Sequence, residues 1–295
     1  MKQFTELRTT DSPSNEAPVA AKLLGTQLRE DGKLSEQDIK DVVSTQRRDK
    51  GLFGEVAVKM GLVSEEAIRD ALSKQYQYPV ASQGAGSHGG SLVTSQTPFS
   101  PAAEAFRTLR SQLMIRWYGD KKNTLAVTGT RHGCGASTVA ANLAIVFAQA
   151  GHRTLLIDAN LRQPSQGRFF GLTSTEGLST LLSGRCSADD VYTVVPPFDD
   201  LYVLPAGSTP PNPQELLYRL AFSYLVETAP ANFDIVIIDT PPILEYADAQ
   251  LVAALTSACL LVTQRDVTRI DDVHHAKVLL EPTNAQLVGA VICDS

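Results

Sequence analysis

The chain has 295 residues, 43% of them hydrophobic, and its 26 lysines and arginines against 32 acidic residues give a net charge of -6. This length suffices for about two domains with a buried core, and the acidic balance argues against broad binding to nucleic acid or to a membrane surface. The four cysteines are widely spaced without a C-x-x-C pair, which favours reduced thiols over a disulfide framework or a metal site.

The first 20 residues are polar and include Pro13 and Pro18, so we predict a flexible N-terminal arm at 1–20. This segment lacks the apolar core of a signal peptide, and the chain contains no run of about 18 apolar residues. We therefore expect a cytoplasmic protein with no direct membrane insertion and no nucleic-acid partner.

A repeat follows the arm, because the segment around Gly32 recurs 29 residues later around Gly61. So short a period is typical of one duplicated supersecondary unit. In each copy a serine, Ser35 or Ser64, stands where it can cap a helix, and apolar residues at i and i+4 give each helix one buried stripe. We predict a compact, all-helical domain at 21–80.

This repeat resembles the N-terminal domain of type II secretion and pilus ATPases of the MshE type, some of which bind cyclic di-GMP. The glycines, the apolar positions and the closing Gln46 and Gln75 match. Leu23 and Leu52, however, stand where the nucleotide-binding members carry arginine, and the adjacent Lys22 is a poor substitute for a bidentate guanidinium. Two readings stay open, a protein-docking module, which is favoured, and a cyclic di-GMP sensor.

Residues 81–100 are rich in glycine, serine, glutamine and threonine, and we predict a flexible linker there between two independently folding domains. A helix is predicted at 102–117, with its apolar residues on one face. From the pattern alone, the charges on another face are more typical of a solvated surface. These charged residues are Glu104, Arg107 and Arg110.

A predicted strand at 125–128 leads into a glycine-rich turn and then into a helix predicted at 137–150. Such a turn aims backbone N–H groups and a helix N-terminus at one point, which favours a bound phosphate. The turn departs from the pattern G-x-x-x-x-G-K-[ST], because Thr130 replaces the first glycine and Ala136 the lysine. Alone, it is also compatible with an ordinary turn. The residues predicted to bind a nucleotide are Gly133, Cys134, Gly135, Ala136, Ser137 and Thr138.

Two later predicted strands, at 154–158 and 235–239, each end in an aspartate. Because the carboxyl ends of parallel strands line the ligand crevice, Asp158 and Asp239 are predicted beside the turn, where carboxylates can hold Mg²⁺. Further strands (201–205, 258–263 and 288–293) alternate with helices (214–228, 249–256 and 270–280). We predict an α/β domain at 101–295, with a parallel sheet of the P-loop NTPase type covered by helices on both faces.

From Pro98 onward the chain resembles the bacterial tyrosine kinases of polysaccharide synthesis, and within them the EpsG type. The resemblance rests on the turn, on the D-x-[DN]-x-R segment 158–162, on the D-x-x-P segment 239–242 and on the segments 98–117 and 205–217. It implies an ATP- and Mg²⁺-dependent protein-tyrosine kinase. It also implies a membrane chain-length determinant partner in exopolysaccharide assembly, which would recruit the chain to the inner membrane, and self-association through Glu104, Arg107 and Arg110 as an E-x-x-R-x-x-R motif.

The resemblance further implies that Ser137, Asp158 and Asp239 surround the metal and that Asp158 orients an incoming hydroxyl. Arg131 stands where relatives with a deviant loop carry a second lysine, so it is the candidate to compensate for Ala136.

Two features oppose full activity. Asn160 replaces the second aspartate usual in the family. Family members commonly end in a tyrosine cluster that is phosphorylated in trans, whereas the last tyrosine here is Tyr246, far from the C-terminus. Two functions stay open, an active kinase and a catalytically weakened adaptor that works by docking and oligomerising, with cyclic di-GMP as a candidate ligand of its N-terminal domain.

Overall fold

The computed structural model describes residues 19–49, 51–76, 92–119, 123–187, 191–283 and 285–294. The chain divides into two compact units, Met1–Tyr78 and Pro79–Ser295. Most of the predicted N-terminal arm, residues 1–18, lies outside the described residues, and so does the part of the predicted linker at 81–91.

The described residues of the N-terminal unit form four helices. They are α1 (Val19–Glu30), α2 (Glu36–Asp49), α3 (Phe53–Lys59) and α4 (Glu65–Tyr76). Gly32 and Gly61 have φ of 67° and 70°, a left-handed conformation that suits glycine at the end of a helix. The hydroxyls of Ser35 and Ser64 accept hydrogen bonds from backbone N–H groups three residues later, so both serines cap the helices that follow them. Each half of the repeat is therefore a helix, a glycine turn and a serine-capped helix.

The second unit is built on a seven-stranded sheet in the order β3-β4-β2-β5-β1-β6-β7. All neighbouring strands run parallel except β3, which is antiparallel to β4 at one edge. The strands are β1 (Thr124–Gly129), β2 (Thr154–Asp158), β3 (Thr193–Val195), β4 (Phe198–Leu204), β5 (Ile235–Asp239), β6 (Ala258–Gln264) and β7 (Gln286–Cys293).

Helices cover both faces of this sheet. Along β1, Leu125 and Val127 belong to one hydrophobic cluster while Ala126 belongs to the other, because successive side chains point to opposite faces. The predicted fold class is confirmed. The helices of this unit are α5 (Val93–Gln96), α6 (Pro101–Arg116), α7 (Ala136–Ala148), α8 (Gln166–Phe169), α9 (Leu178–Leu182), α10 (Pro213–Leu217), α11 (Leu220–Thr228), α12 (Asp248–Leu255) and α13 (Ile270–Leu280).

The prediction of a linker reaching residue 100 is wrong for its last part. Helix α5 lies within that stretch, and Leu92 joins the hydrophobic core. Thr94 is completely buried, and its hydroxyl and its N–H donate to the side-chain oxygen of Asn142 in α7, at 2.8 and 3.0 Å. A polar sequence folds here because its polar groups find buried partners, which composition does not reveal.

The single helix predicted at 214–228 is also wrong, since the structure has two helices, α10 and α11, in its place. The break lies at Arg219, whose backbone is extended with ψ of 148°. One guanidinium nitrogen of Arg219 donates to the carbonyl of Leu182 at the end of α9, at 3.1 Å. A tertiary contact thus accompanies a break that local helix propensity does not indicate.

Candidate active site

The turn between β1 and α7 is shaped for close approach of a ligand to the backbone. Gly133 and Gly135 have φ of 82° and 90°. A Cβ on Gly129 would lie 2.0 Å from the sulfur of Cys134, so a side chain cannot be accommodated there without movement. The N–H groups of the first turn of α7 have no partners within the helix, as in any α-helix, and no side chain at the N-cap position caps them. These groups can bind an anion.

One N–H of the turn is already engaged. The backbone N–H of His132 donates to the carboxylate of Glu245, in the segment after β5, at 2.8 Å. A carboxylate of the protein itself is thus already bound to one N–H of this turn, which shows that the turn can bind an anion.

A cavity of about 460 Å³ lies over the turn, a volume within the range of small-molecule sites. The six residues predicted to bind a nucleotide, 133–138, all line it, and so does Arg131. The opposite wall consists of the segment after β2 and of α8, and its residues are Asn160, Gln163, Pro164, Ser165, Arg168 and Phe169.

The two predicted acids lie next to each other below this cavity. Strand β5 runs between β1 and β2, and Asp239 is the register partner of both Val127 and Asp158. Both aspartates are completely buried and neither belongs to the cavity lining. The parallel sheet therefore brings the two predicted carboxylates together below the loop.

The carboxylate of Asp158 organises the segment that follows β2. It accepts backbone hydrogen bonds from Asn160 at 3.2 Å, Ser165 at 3.0 Å and Gln166 at 2.9 Å. Burial raises the pKa of Asp158, while these three N–H groups act in the opposite direction. Three of about four acceptor positions of the carboxylate are thus already used.

Only one carboxylate oxygen of Asp239 has a hydrogen-bond partner among the described residues. Its Oδ2 accepts a 2.7 Å hydrogen bond from the side-chain amide of Gln166, whereas its Oδ1 has no partner among the described residues. Burial, followed by the negative charge of Asp158, raises the pKa of Asp239, and the hydrogen bond from Gln166 lowers it. The same amide of Gln166 also donates to the carbonyl of Ser137, so the structure brings all three predicted metal residues together.

These residues fit Mg²⁺, because an orphaned buried carboxylate oxygen next to a hydroxyl suits a hard cation. Asp239 and Ser137 would hold it. Within the described part of the chain, no three His, Cys, Asp or Glu side chains form a metal-binding group. The remaining ligands would therefore be water and phosphate oxygens, as is usual for Mg²⁺.

Gln166, which no sequence pattern indicated, connects the two walls of the site. Its completely buried side-chain amide donates both to Asp239 and to the carbonyl of Ser137, the latter at 3.1 Å. An uncharged residue eight positions after Asp158 carries no motif signal, so sequence reasoning had no means of finding it.

Arg131 is bound to an acidic residue outside the cavity lining. Its guanidinium forms a two-point ion pair with Asp272 of α13, at 3.0 and 2.9 Å, although its side chain is 61% exposed. Asp272 raises the pKa of Arg131. Arg162 behaves similarly, since it pairs at 2.8 and 3.1 Å with the buried Asp248 at the start of α12. Neither guanidinium is turned to the cavity as a free cation.

The charged face of α6 does not line the cavity. Glu104 and Arg107 form an ion pair at 2.7 Å along the helix, and Arg107 also donates to the carbonyl of Pro98. Arg110 donates to the carbonyl of Val146 near the end of α7, at 2.7 Å. All three residues thus already have partners within their own unit.

Comparisons with known proteins agree with this architecture. A family model described as an AAA domain matches residues 122–267. The tyrosine-protein kinase YwqD of Bacillus subtilis is 36% identical over 201 residues, which cover 68% of this chain and 84% of YwqD. EpsB of Ralstonia solanacearum is 35% identical over 205 residues, which cover 69% of this chain but 27% of EpsB, so the chain spans about a quarter of that relative.

Among solved structures, the kinase domain of the Escherichia coli tyrosine kinase ETK superposes with a TM-score of 0.66 at 32% identity, covering 69% of this chain and 79% of that domain. Of the described helices, none has the length and apolar character needed to cross a membrane.

Proposed function

The chain belongs to the family of bacterial tyrosine kinases, and from this we propose that it binds Mg-ATP at the β1–α7 turn and transfers the terminal phosphoryl group to a protein tyrosine. The observation that carries the proposal is the unpartnered Oδ1 of Asp239 beside Ser137, under a loop of glycines and an uncapped helix. Such a site has oxygen ligands for a cation and N–H donors for phosphates.

In this proposal each group has a separate task. The N–H groups at 133–138 hold the phosphates, and Ser137 and Asp239 hold Mg²⁺. When bound, Mg²⁺ would neutralise negative charge on the phosphoryl oxygens during transfer. Asp158 orients the incoming tyrosine hydroxyl, for which its carboxylate has about one acceptor position left. Positioning and charge compensation carry most of the catalysis in reactions of this type.

We further propose that the chain works in exopolysaccharide assembly at the inner membrane, recruited by a membrane chain-length determinant partner. The matched region makes up about a quarter of EpsB, so EpsB carries additional sequence beyond the part that resembles this chain. Self-association would use Glu104, whose side chain is 67% exposed, together with Arg107 and Arg110.

A second candidate function is that of an adaptor that binds nucleotide but transfers phosphate slowly or not at all. The observation that favours it is Ala136, which leaves the first turn of α7 without the lysine of the loop pattern. In the N-terminal unit, Leu52 is 69% exposed where nucleotide-binding relatives of the repeat carry arginine. An exposed leucine favours protein docking there over cyclic di-GMP.

Titration calorimetry of the full chain with Mg-ATP tests the proposed site. Saturable heat is expected at millimolar nucleotide or below, and its absence at that concentration would reject the kinase in isolation. Transfer of labelled phosphate to a tyrosine-containing polymer then separates kinase from adaptor. Hydrogen exchange of the N-terminal unit tests the cyclic di-GMP hypothesis. If adding cyclic di-GMP leaves the exchange rates at 24–76 unchanged, this unit is not a cyclic di-GMP sensor.

A further inference from the structure

The wall of the cavity opposite the glycine turn has its own polar groups. Ser165 and Arg168 both line the cavity. Ser165 directly precedes α8, and Arg168 is the third residue of this helix. This part of the cavity wall thus carries a hydroxyl and a guanidinium.

Ser165 has an unmet hydrogen-bonding capacity. It is 8% exposed, and its Oγ has no hydrogen-bond partner among the described residues. Its backbone is fixed, because its N–H donates to Asp158. A buried hydroxyl without a partner is unfavourable, and an oxygen of a ligand in the cavity would satisfy it.

Arg168 differs from the other arginine of the cavity. Arg131 is held by Asp272, whereas no carboxylate among the described residues pairs with Arg168. The guanidinium carbon of Arg168 lies 5.8 Å from the ring centre of its neighbour Phe169. Among the described residues that line the cavity there is no aspartate or glutamate. A guanidinium in these surroundings is available to an anionic ligand.

The position of Arg168 relative to the turn is fixed through Gln166. The amide of Gln166 donates to the carbonyl of Ser137, and its backbone N–H donates to Asp158. Helix α8 is therefore tied to the first turn of α7, next to Ala136, where the lysine of the loop pattern is missing.

We propose that Arg168, assisted by the hydroxyl of Ser165, supplies the cationic contact to the polyphosphate of a nucleotide that Ala136 does not supply. The cationic side chain then lies on the facing wall of the cavity and not in the turn itself. A guanidinium can bind phosphate oxygens at two points, which a lysine cannot. This inference rests on the proposed function, because it takes a nucleoside polyphosphate as the ligand.

A double-mutant cycle with Mg-ATP tests the inference. Calorimetric affinities are compared for the unaltered chain, Arg168→Ala, Ala136→Lys and the double variant. Arg185→Ala is the matched control, since Arg185 is exposed and does not line the cavity. We expect Arg168→Ala to weaken binding about tenfold or more and Arg185→Ala to leave it unchanged. In the Ala136→Lys background, Arg168→Ala should weaken binding less than threefold, because the restored lysine takes over the contact.

A merely structural role would weaken binding equally in both backgrounds, and that result overturns the inference. Unchanged affinity of Arg168→Ala overturns it too, while leaving the proposed nucleotide site intact. No binding by the unaltered chain overturns both. Thermal unfolding is measured for each variant as a control. We expect each variant to unfold at the same midpoint temperature as the unaltered chain, which would show that the substitutions leave the fold unaffected.

Discussion

Asp158 and Asp239 are register partners on adjacent strands, so two completely buried carboxylates lie side by side at the carboxyl end of the sheet. Backbone N–H groups satisfy Asp158, and one oxygen of Asp239 remains without a partner among the described residues. Two adjacent buried negative charges are unfavourable unless a proton or a cation compensates them. Stability and ligand binding are therefore linked through this pair.

The first prediction concerns pH. Both aspartates have a raised pKa, about 6 for Asp158 and about 8 for Asp239, against 3.8 for the unperturbed group. Between pH 4 and pH 8 the folded state thus binds more protons than the unfolded state, and the free energy of unfolding falls as pH rises. Asp239→Asn should remove much of this fall and make the chain more stable than the unaltered protein at pH 8.

Urea unfolding at pH 5, 6, 7 and 8 measures this effect. The one tryptophan of the chain, Trp117, is buried in the α/β unit, so its fluorescence follows that unit. Asp199→Asn, at an exposed position, is the control and should change nothing. A pH-independent difference between Asp239→Asn and the unaltered chain would contradict the prediction.

The second prediction concerns the missing lysine. Ala136 lines the cavity at the start of α7. A hydrogen bond to a charged group is worth about 1.5 to 3 kcal/mol, so Ala136→Lys should tighten Mg-ATP binding, by about tenfold or more when Arg168 is also replaced by alanine and by less while Arg168 makes the contact. Calorimetry compares it with Ala136→Met, which adds a chain of similar length without charge. Equal affinities of the two variants would show that this position does not face the phosphates.

The third prediction concerns Gln166. Gln166→Met keeps the volume but removes the amide that donates to Asp239 and Ser137. We expect a loss of about 1 to 3 kcal/mol in unfolding free energy, because a buried acceptor loses its donor. The loss should be larger at pH 9 than at pH 6, since Asp239 then carries its charge. Gln163→Met, at an exposed position on the cavity rim, is the control, and a loss that does not vary with pH would argue against this role.

The fourth prediction concerns Arg131. Because Asp272 holds its guanidinium, Arg131→Ala should leave Mg-ATP affinity unchanged. Asp272→Asn should free the guanidinium toward the cavity and tighten binding up to about fivefold, the range of an exposed ion pair. Asp271→Asn, on the same turn and 81% exposed, is the matched control. A marked loss of affinity in Arg131→Ala would instead support the compensating role expected from the family resemblance.

The predictable parts of this protein are those with a local signal. The apolar run of β1, its glycines and the helix after them follow from backbone requirements, and the two strand-ending aspartates follow from the geometry of a parallel sheet. Long-range pairing of neutral polar groups has no such signal. Gln166, and the contact of Thr94 with Asn142, therefore escaped prediction, and so did β3, which at three residues is too short for a periodic pattern.

The contact of Thr94 has a mechanical consequence. Asn142 accepts hydrogen bonds from Thr94 and donates to the carbonyl of Thr138 at 2.9 Å, so one side chain joins a buried residue of α5 to the helical turn that begins at the glycine loop. If a nucleotide displaced that turn on binding, Thr94 would have to move with it or lose its hydrogen bonds to Asn142. The position of Thr94 is therefore coupled to that of the first turn of α7.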